Sequence, residues 1–160
     1  FLPSNFVIAV MPSTSRGLCG SSPAACSATT AIAICNVLYQ LLKNPDAMHK
    51  VVEELDAAGV PLFAITNFSG EFFPPFRERE RALFDRFRDI VVSGDEKLLK
   101  PDPAIYHLAL RRFGVAAGET IFIDDNAANV AGAEAVGIRA HHFRDAATLR
   151  AELATLGLLP

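Results

Sequence analysis

Two carboxylates, Asp124 and Asp125, stand side by side where the apolar run "IFI" ends, and Asn126 and Asn129 follow within one helical turn. Like charges a few ångström apart repel, and partial burial makes each costlier to ionise. Such a pair calls for a positive group close by. Two further polar features occupy equivalent places, where apolar runs stop: Thr66 and Asn67 follow "PLFAI", and Lys100 follows "DIVVSG". A hydroxyl, backbone amides, an ammonium and a carboxylate pair meeting at one edge suit a phosphate and a divalent cation. Magnesium prefers carboxylate oxygen and keeps several waters, and an ammonium neutralises the anion beside it.

Those residues need a scaffold that brings strand ends together. From Asn44 onward the chain alternates between helical and strand-like patterns. Asn44 can cap a helix with Pro45 in its first turn, and Met48, Val51, Val52, Leu55 and Ala58 recur at helical spacing before Gly59 stops it. The near-continuous apolar run "VPLFAITN" then reads as a strand buried on both faces, as in a parallel sheet covered by helices. A helix is expected around Phe76 to Arg88, a strand at "DIVVSG", a helix from Pro103, and a strand at "TIFID". A small-residue helix, Ala127 to Val136, ends at Gly137. It leads to the strand "IRAHHF" and to a last helix capped by Asp145 and running through Leu153. This alternation predicts an α/β fold with a Rossmann-like, doubly wound parallel sheet, in which ligands collect at the carboxyl edge of the strands.

Residues 1–45 differ in kind. They contain no Asp or Glu and, as bases, only Arg16 and Lys43, whereas residues 46–160 carry all 18 acids against 13 bases. "NFVIAV" is expected to form one more strand and Ala28 to Leu42 one more helix, or the segment is partly disordered. The chain is thus read as an atypical uncharged segment, 1–45, followed by the α/β core, 46–160.

Composition excludes several function classes. A formal net charge of −3 with no dense Lys/Arg stripe argues against nucleic acid as a partner. The run from 28 to 42 contains Asn36 and Gln40 and falls short of the roughly 20 residues that span a bilayer, so no membrane role is expected. Cys19, Cys26 and Cys35 are odd in number and spaced by seven and nine positions, which fits neither a disulfide framework nor a zinc site. They read as reduced thiols of a cytoplasmic protein.

Over residues 46–160 the chain resembles the haloacid dehalogenase superfamily of hydrolases. "FAITN" looks like the second motif of that family, "KPDPAIY" like the third and "FIDDNAAN" like the fourth, in the right order. The resemblance implies that Thr66 donates its hydroxyl to a phosphoryl oxygen, helped by the amide of Asn67. It implies that Lys100 neutralises nucleophile and transferring group, that Asp125 ligates Mg2+ with Asp124 as second ligand or outer partner, and that Asn129 orients the lysine or its loop. The substrate would be a small phosphorylated or halogenated metabolite. The acidic pair favours a magnesium-dependent phosphatase over a 2-haloacid dehalogenase, because the metal-free dehalogenases usually carry uncharged residues there.

One family feature has no counterpart. The first motif, Asp-x-Asp, supplies the covalent nucleophile and the general acid–base, yet this chain has no Asp before Asp46. If "NFVIAV" fills the central strand slot, Met11, Pro12 or Ser13 stands where that carboxylate belongs. The cap domain that normally follows is not recognisable either. Residues 1–45 are therefore read as non-native sequence at a truncated or frame-shifted end, or as a diverged start. A non-catalytic binding module or a fragment retaining the fold is the competing class.

Plainer roles compete at single positions. Thr66 alone could be a strand-end hydroxyl satisfied by backbone, and the acidic pair could serve the amino terminus of the following helix, with Asn126 as its cap. His141 and His142 are adjacent on a strand and so point to opposite faces. His49 and His107 are expected at the surface or its boundary. The run "RERERALFDRFRD" reads as an ordinary exposed amphipathic helix.

Overall fold

The computed structural model describes the backbone of residues 6–10, 33–35 and 45–160, with side chains from residue 49 onward. Its strands are β1 (Phe6–Val10), β2 (Ala33–Cys35), β3 (Leu62–Thr66), β4 (Phe87–Val92), β5 (Ile121–Asp124) and β6 (Arg139–His142). The helices among the described residues are α1 (Pro45–Ala57), α2 (Phe73–Arg79), α3 (Arg81–Phe84), α4 (Ser93–Glu96), α5 (Pro103–Phe113), α6 (Ala127–Ala135) and α7 (Ala146–Thr155). A 3₁₀ turn, Ala117–Glu119, precedes β5.

The strands form one six-stranded sheet in the order β4-β3-β1-β2-β5-β6. β3 pairs parallel with β4, β2 with β5, and β5 with β6, while β1 runs antiparallel to both β2 and β3. Side chains alternate across the sheet as the period of two requires. Leu62, Ala64, Ile121 and Ile123 join Val52 and Leu55 of α1, Phe84 of α3 and Leu149 and Leu153 of α7 in one core. Phe63, Ile65, Val91 and Phe122 join Ile105, Tyr106 and Phe113 of α5 and Ala133 of α6 in the other. The result is the expected α/β architecture, with a mostly parallel sheet between two helical layers.

Capping residues place the helix ends where the sequence suggests. Asp102 and Asn126 accept the backbone N–H of Ala104 and Ala128, at 2.8 and 2.9 Å, and open α5 and α6. Gly59 and Gly137 take φ of +73° and +84°, a left-handed conformation that costs glycine little, and close α1 and α6. Asp145 opens α7 by accepting from the backbone N–H of Thr148 at 2.7 Å and from its hydroxyl at 2.8 and 2.9 Å. The amide first and then the hydroxyl hold its carboxyl below the ordinary value of 3.8. A depressed folded-state pKa means that this contribution is complete above the unfolded value and is lost as pH falls through the folded one. Asp145→Ala is accordingly expected to lower the Tm at neutral pH and to flatten its decline in acid. Thermal melts across the acid range check this, and equal acid loss in both proteins would count against it.

Several expected elements shift. The helix expected around Phe76 to Arg88 is instead α2, α3 and the start of β4. Phe87 is buried as its spacing suggested, but as a strand residue paired with Leu62. The charge run is therefore not one helix, and its Arg86 bonds Asp56 and Glu53 of α1 at 2.9 and 3.0 Å. β4 stops at Val92, since Ser93 turns into α4, where its hydroxyl donates to the carbonyl of Phe68 at 3.2 Å. "NFVIAV" is a strand at residues 6–10, but an antiparallel one. Within the helix expected over 28–42, residues 33–35 form strand β2, where β-branched Ile34 pairs with Ile8 and Ile123. The rest of that range lies outside the described residues. His141 is buried and His142 exposed, on opposite faces as expected, with His49 half-buried and His107 exposed.

Candidate functional site

The parallel strands β3, β4 and β5 present their carboxyl ends at one edge, and the loops leaving them carry the polar residues singled out in the sequence. Thr66 ends β3 with no exposed surface, and Asp124 ends β5 equally buried. Lys100, in the loop between α4 and α5, is 4% exposed. Its ammonium donates to Oδ2 of Asp124 at 3.2 Å, with both side chains fully enclosed. This is the positive group that the acidic pair called for. It also lies 5.8 Å from the centre of the Phe122 ring, whose face favours a cation.

The two aspartates divide their work. Asp124 Oδ1 accepts the backbone N–H of Asn126 at 2.7 Å, and Oδ2 accepts the side-chain amide of Asn129 at 2.8 Å in addition to Lys100. Asp124 thus belongs to the buried frame that joins β5, α6 and the lysine loop. Asp125, the next residue, is half-buried, and its carbonyl accepts from Nε2 of His142 at 2.9 Å. Asn129, 1% exposed, is held in turn, because its carbonyl accepts the hydroxyl of the buried Tyr106 at 2.8 Å.

Asn67 has a function in the frame that its sequence position did not suggest. Its side-chain amide donates to the carbonyl of Lys100 at 3.0 Å, and its side-chain oxygen accepts the backbone N–H of Lys100 at 2.9 Å. This two-point clamp fixes the lysine main chain to the end of β3 across 33 residues of sequence. Behind it, Phe68 stacks on Phe76 at 5.4 Å and meets Phe73 edge-on at 5.8 Å, anchoring the loop. Asn67→Ala is expected to destabilise the fold by about 1–3 kcal/mol, the usual cost of leaving part-buried donors and acceptors unmatched. Chemical denaturation checks this, and a change within error would mean that the clamp contributes nothing to stability.

The structure therefore brings Asn67, Lys100, Asp124 and Asn129 into one bonded set, with Thr66 and Asp125 adjacent in sequence to members of it. Tyr106, the last residue of "KPDPAIY", joins the same frame although no role was read for it in the sequence, and Gly132 carried no signal beyond its place on a helix. Among the described residues no group of three or more His, Cys, Asp and Glu side chains gathers to hold a metal. What remains fits a hard cation that keeps most of its waters and needs only one or two carboxylates plus a substrate oxygen.

The geometry agrees with the comparisons. Residues 22–137 match the family model of the haloacid dehalogenase-like hydrolases, a match beginning upstream of the residues whose motifs are legible. The chain is 36% identical over 114 residues to the sesquiterpene phosphatase astK of Aspergillus oryzae, covering 71% of this chain and 58% of that protein. It is 33% identical over 99 residues to (S)-2-haloacid dehalogenase 4A of Burkholderia cepacia, covering 61% of this chain and 42% of that one. Its fold overlays that of an uncharacterized protein from Corynebacterium glutamicum with a TM-score of 0.64 at 20% identity, over 74% of this chain and 85% of the other. A dehalogenase solved as an intermediate complex gives a TM-score of 0.55 at 27% identity, over 69% and 44%. The chain spans little more than half the length of the phosphatase and less of the haloacid dehalogenase. With motifs, sheet and buried lysine–carboxylate pair in agreement with the family match, the chain belongs to the haloacid dehalogenase-like hydrolases.

Proposed function

We propose that this chain carries the phosphate- and cation-binding edge of a magnesium-dependent phosphomonoesterase acting on a small phosphorylated metabolite. The observation that carries the reading is the buried Lys100–Asp124 pair with half-buried Asp125 next to it in the chain. Lys100 pairs with Asp124, and a second carboxylate oxygen donor beside that pair suits a divalent cation better than a haloacid carboxylate. Asp125 is the ligand we assign to Mg2+, and Asp124, whose two oxygens serve Asn126, Asn129 and Lys100, is its outer partner. When bound, the cation would supply charge stabilisation to the phosphoryl oxygens. Thr66 would donate its hydroxyl to one of those oxygens, the backbone amide of Asn67 to another, and Lys100 would offset the charge of the transferring group. Asn129 keeps Asp124 oriented toward the lysine.

The relatives include a phosphatase and a haloacid dehalogenase, so both chemistries occur in the family, and halide release from a 2-haloacid is the alternative activity. A non-catalytic module that retains the site for binding is the third reading. Cysteine spacing supports a cytoplasmic location, and among the described residues no helix is long and apolar enough to cross a membrane. Titration calorimetry with inorganic phosphate, with and without MgCl2, tests the proposal. Phosphate uptake that requires Mg2+ and disappears in Asp125→Asn and in Thr66→Ala is the expected outcome. Uptake indifferent to both magnesium and Asp125 would overturn it.

A further inference from the structure

Gly132 lies in α6, three residues beyond Asn129 and so on the same helical face. A Cβ built at Gly132 would stand 2.7 Å from the carbonyl oxygen of Pro101, 2.9 Å from the Cβ of Pro101 and 3.1 Å from Cε2 of Tyr106. Two of these distances are shorter than real Cβ contacts, and one involves main chain, which cannot rotate out of the way as a flexible side-chain end could. The backbone of Gly132 takes no left-handed conformation that would otherwise require glycine. Within a helix interior glycine is the poorer choice, since alanine has the higher propensity. The absence of a side chain is thus explained by the neighbour, and the neighbour is the residue that follows Lys100.

We propose that Gly132 is a positioning residue for Lys100: its bare Cα is the seat against which the Lys100–Pro101 main chain rests, so that the ammonium reaches Asp124. The segment is gripped from two sides. Asn67 holds the N–H and C=O of Lys100 from the end of β3, and Gly132 admits Pro101 from α6. Tyr106 ties α5 to α6 at this point, because its hydroxyl bonds the carbonyl of Asn129 while its ring borders the seat. Moving the seat outward by the width of a methyl group draws the lysine from a contact that is already 3.2 Å long. The role of Lys100 toward phosphate rests on the function proposed above, but the seat itself does not.

The test compares wild type, Gly132→Ala and the control Gly118→Ala, whose added Cβ meets nothing within 4 Å. Each is labelled with an amine acylating reagent under native conditions, and modification of Lys100 and of exposed Lys97 is read by mass spectrometry. In Gly132→Ala we expect Lys100 labelling to rise about tenfold with Lys97 unchanged, the Tm to fall although alanine favours helix, and phosphate affinity to drop about tenfold, the equivalent of 1.4 kcal/mol. Gly118→Ala should match wild type in all three. Unchanged Lys100 labelling in folded Gly132→Ala overturns the proposal, whatever happens to the Tm. If phosphate binds neither wild type nor variant, the phosphatase reading fails while the labelling still decides the seat. Should Gly132→Ala not fold, the labelling is repeated with Pro101→Gly added, which removes the 2.9 Å contact and leaves the 2.7 Å one. Lys100 protection equal to that in Pro101→Gly alone then overturns it.

Discussion

Lys100→Met is expected to destabilise the protein by about 3–5 kcal/mol, because it strips a fully enclosed carboxylate of its cation while leaving the carboxylate in place. Methionine conserves much of the apolar stem, so the loss reports the charge more than the packing. The same reasoning predicts that Lys100→Met combined with Asp124→Leu recovers most of the loss, since replacing a buried ion pair by apolar groups of similar volume is often neutral. The recovery should be incomplete: Asp124 also accepts from Asn126 and Asn129, and these donors lose their partner in the double variant. Chemical denaturation of the four proteins forms a double-mutant cycle that isolates the coupling. Additive losses, with no recovery in the double variant, would mean that the pair contributes little beyond its separate environments. Phosphate affinity should not recover with stability, because the anion needs the ammonium that both variants lack.

The 160-residue chain is expected to release phosphate from p-nitrophenyl phosphate roughly 10⁴- to 10⁶-fold more slowly than a relative with an intact first motif, the range seen when a covalent catalytic group is removed. No Asp precedes Asp46. The heading of β1 supports the same expectation. β1 runs antiparallel, with Phe6 opposite Thr66 and Val10 opposite Leu62, so its carboxyl end leaves at the edge away from Lys100 and Asp124. Residues 11–13, which would take the nucleophile's position if that strand were parallel, lie outside the described residues. Of the two strands that pair parallel with β5, β2 is the one that precedes Asp46, and the residue after Cys35 is Asn36, again not a carboxylate. Phosphate binding should persist while turnover falls by that factor, which separates a retained site from an active one. Release of phosphate at rates typical of the family, dependent on magnesium, would refute this, and an Asp-x-Asp encoded in frame upstream of Phe1 would supply the missing carboxylates.

Much of the architecture was legible because it depends on short-range patterns. Asp102, Asn126 and Asp145 cap helices with their own side chains, and the apolar runs at 62–66 and 121–124 are buried on both faces, as unbroken hydrophobicity in a parallel strand requires. Where the period was ambiguous the reading slipped. Phe76, Leu83, Phe84 and Phe87 keep helical spacing, yet Phe87 gains more by pairing beside Leu62 than by continuing a helix. A four-residue apolar stripe cannot reveal that a neighbouring strand waits for one of its members.

The site divides along the same line. The residue types and the edge on which they collect follow from strands that end in Thr66 and Asp124, and so does the need for a cation near the acidic pair. Which aspartate receives Lys100 does not follow, since Asp124 and Asp125 are chemically identical and differ only in which side of the strand end they face. Nor does the clamp by Asn67, the support of Asn129 by Tyr106, or the glycine at 132, for these are contacts across 33, 23 and 31 residues. The direction of β1 is of the same kind. Apolar alternation gives a strand its faces without giving it a heading, and only its neighbours in the sheet determine that.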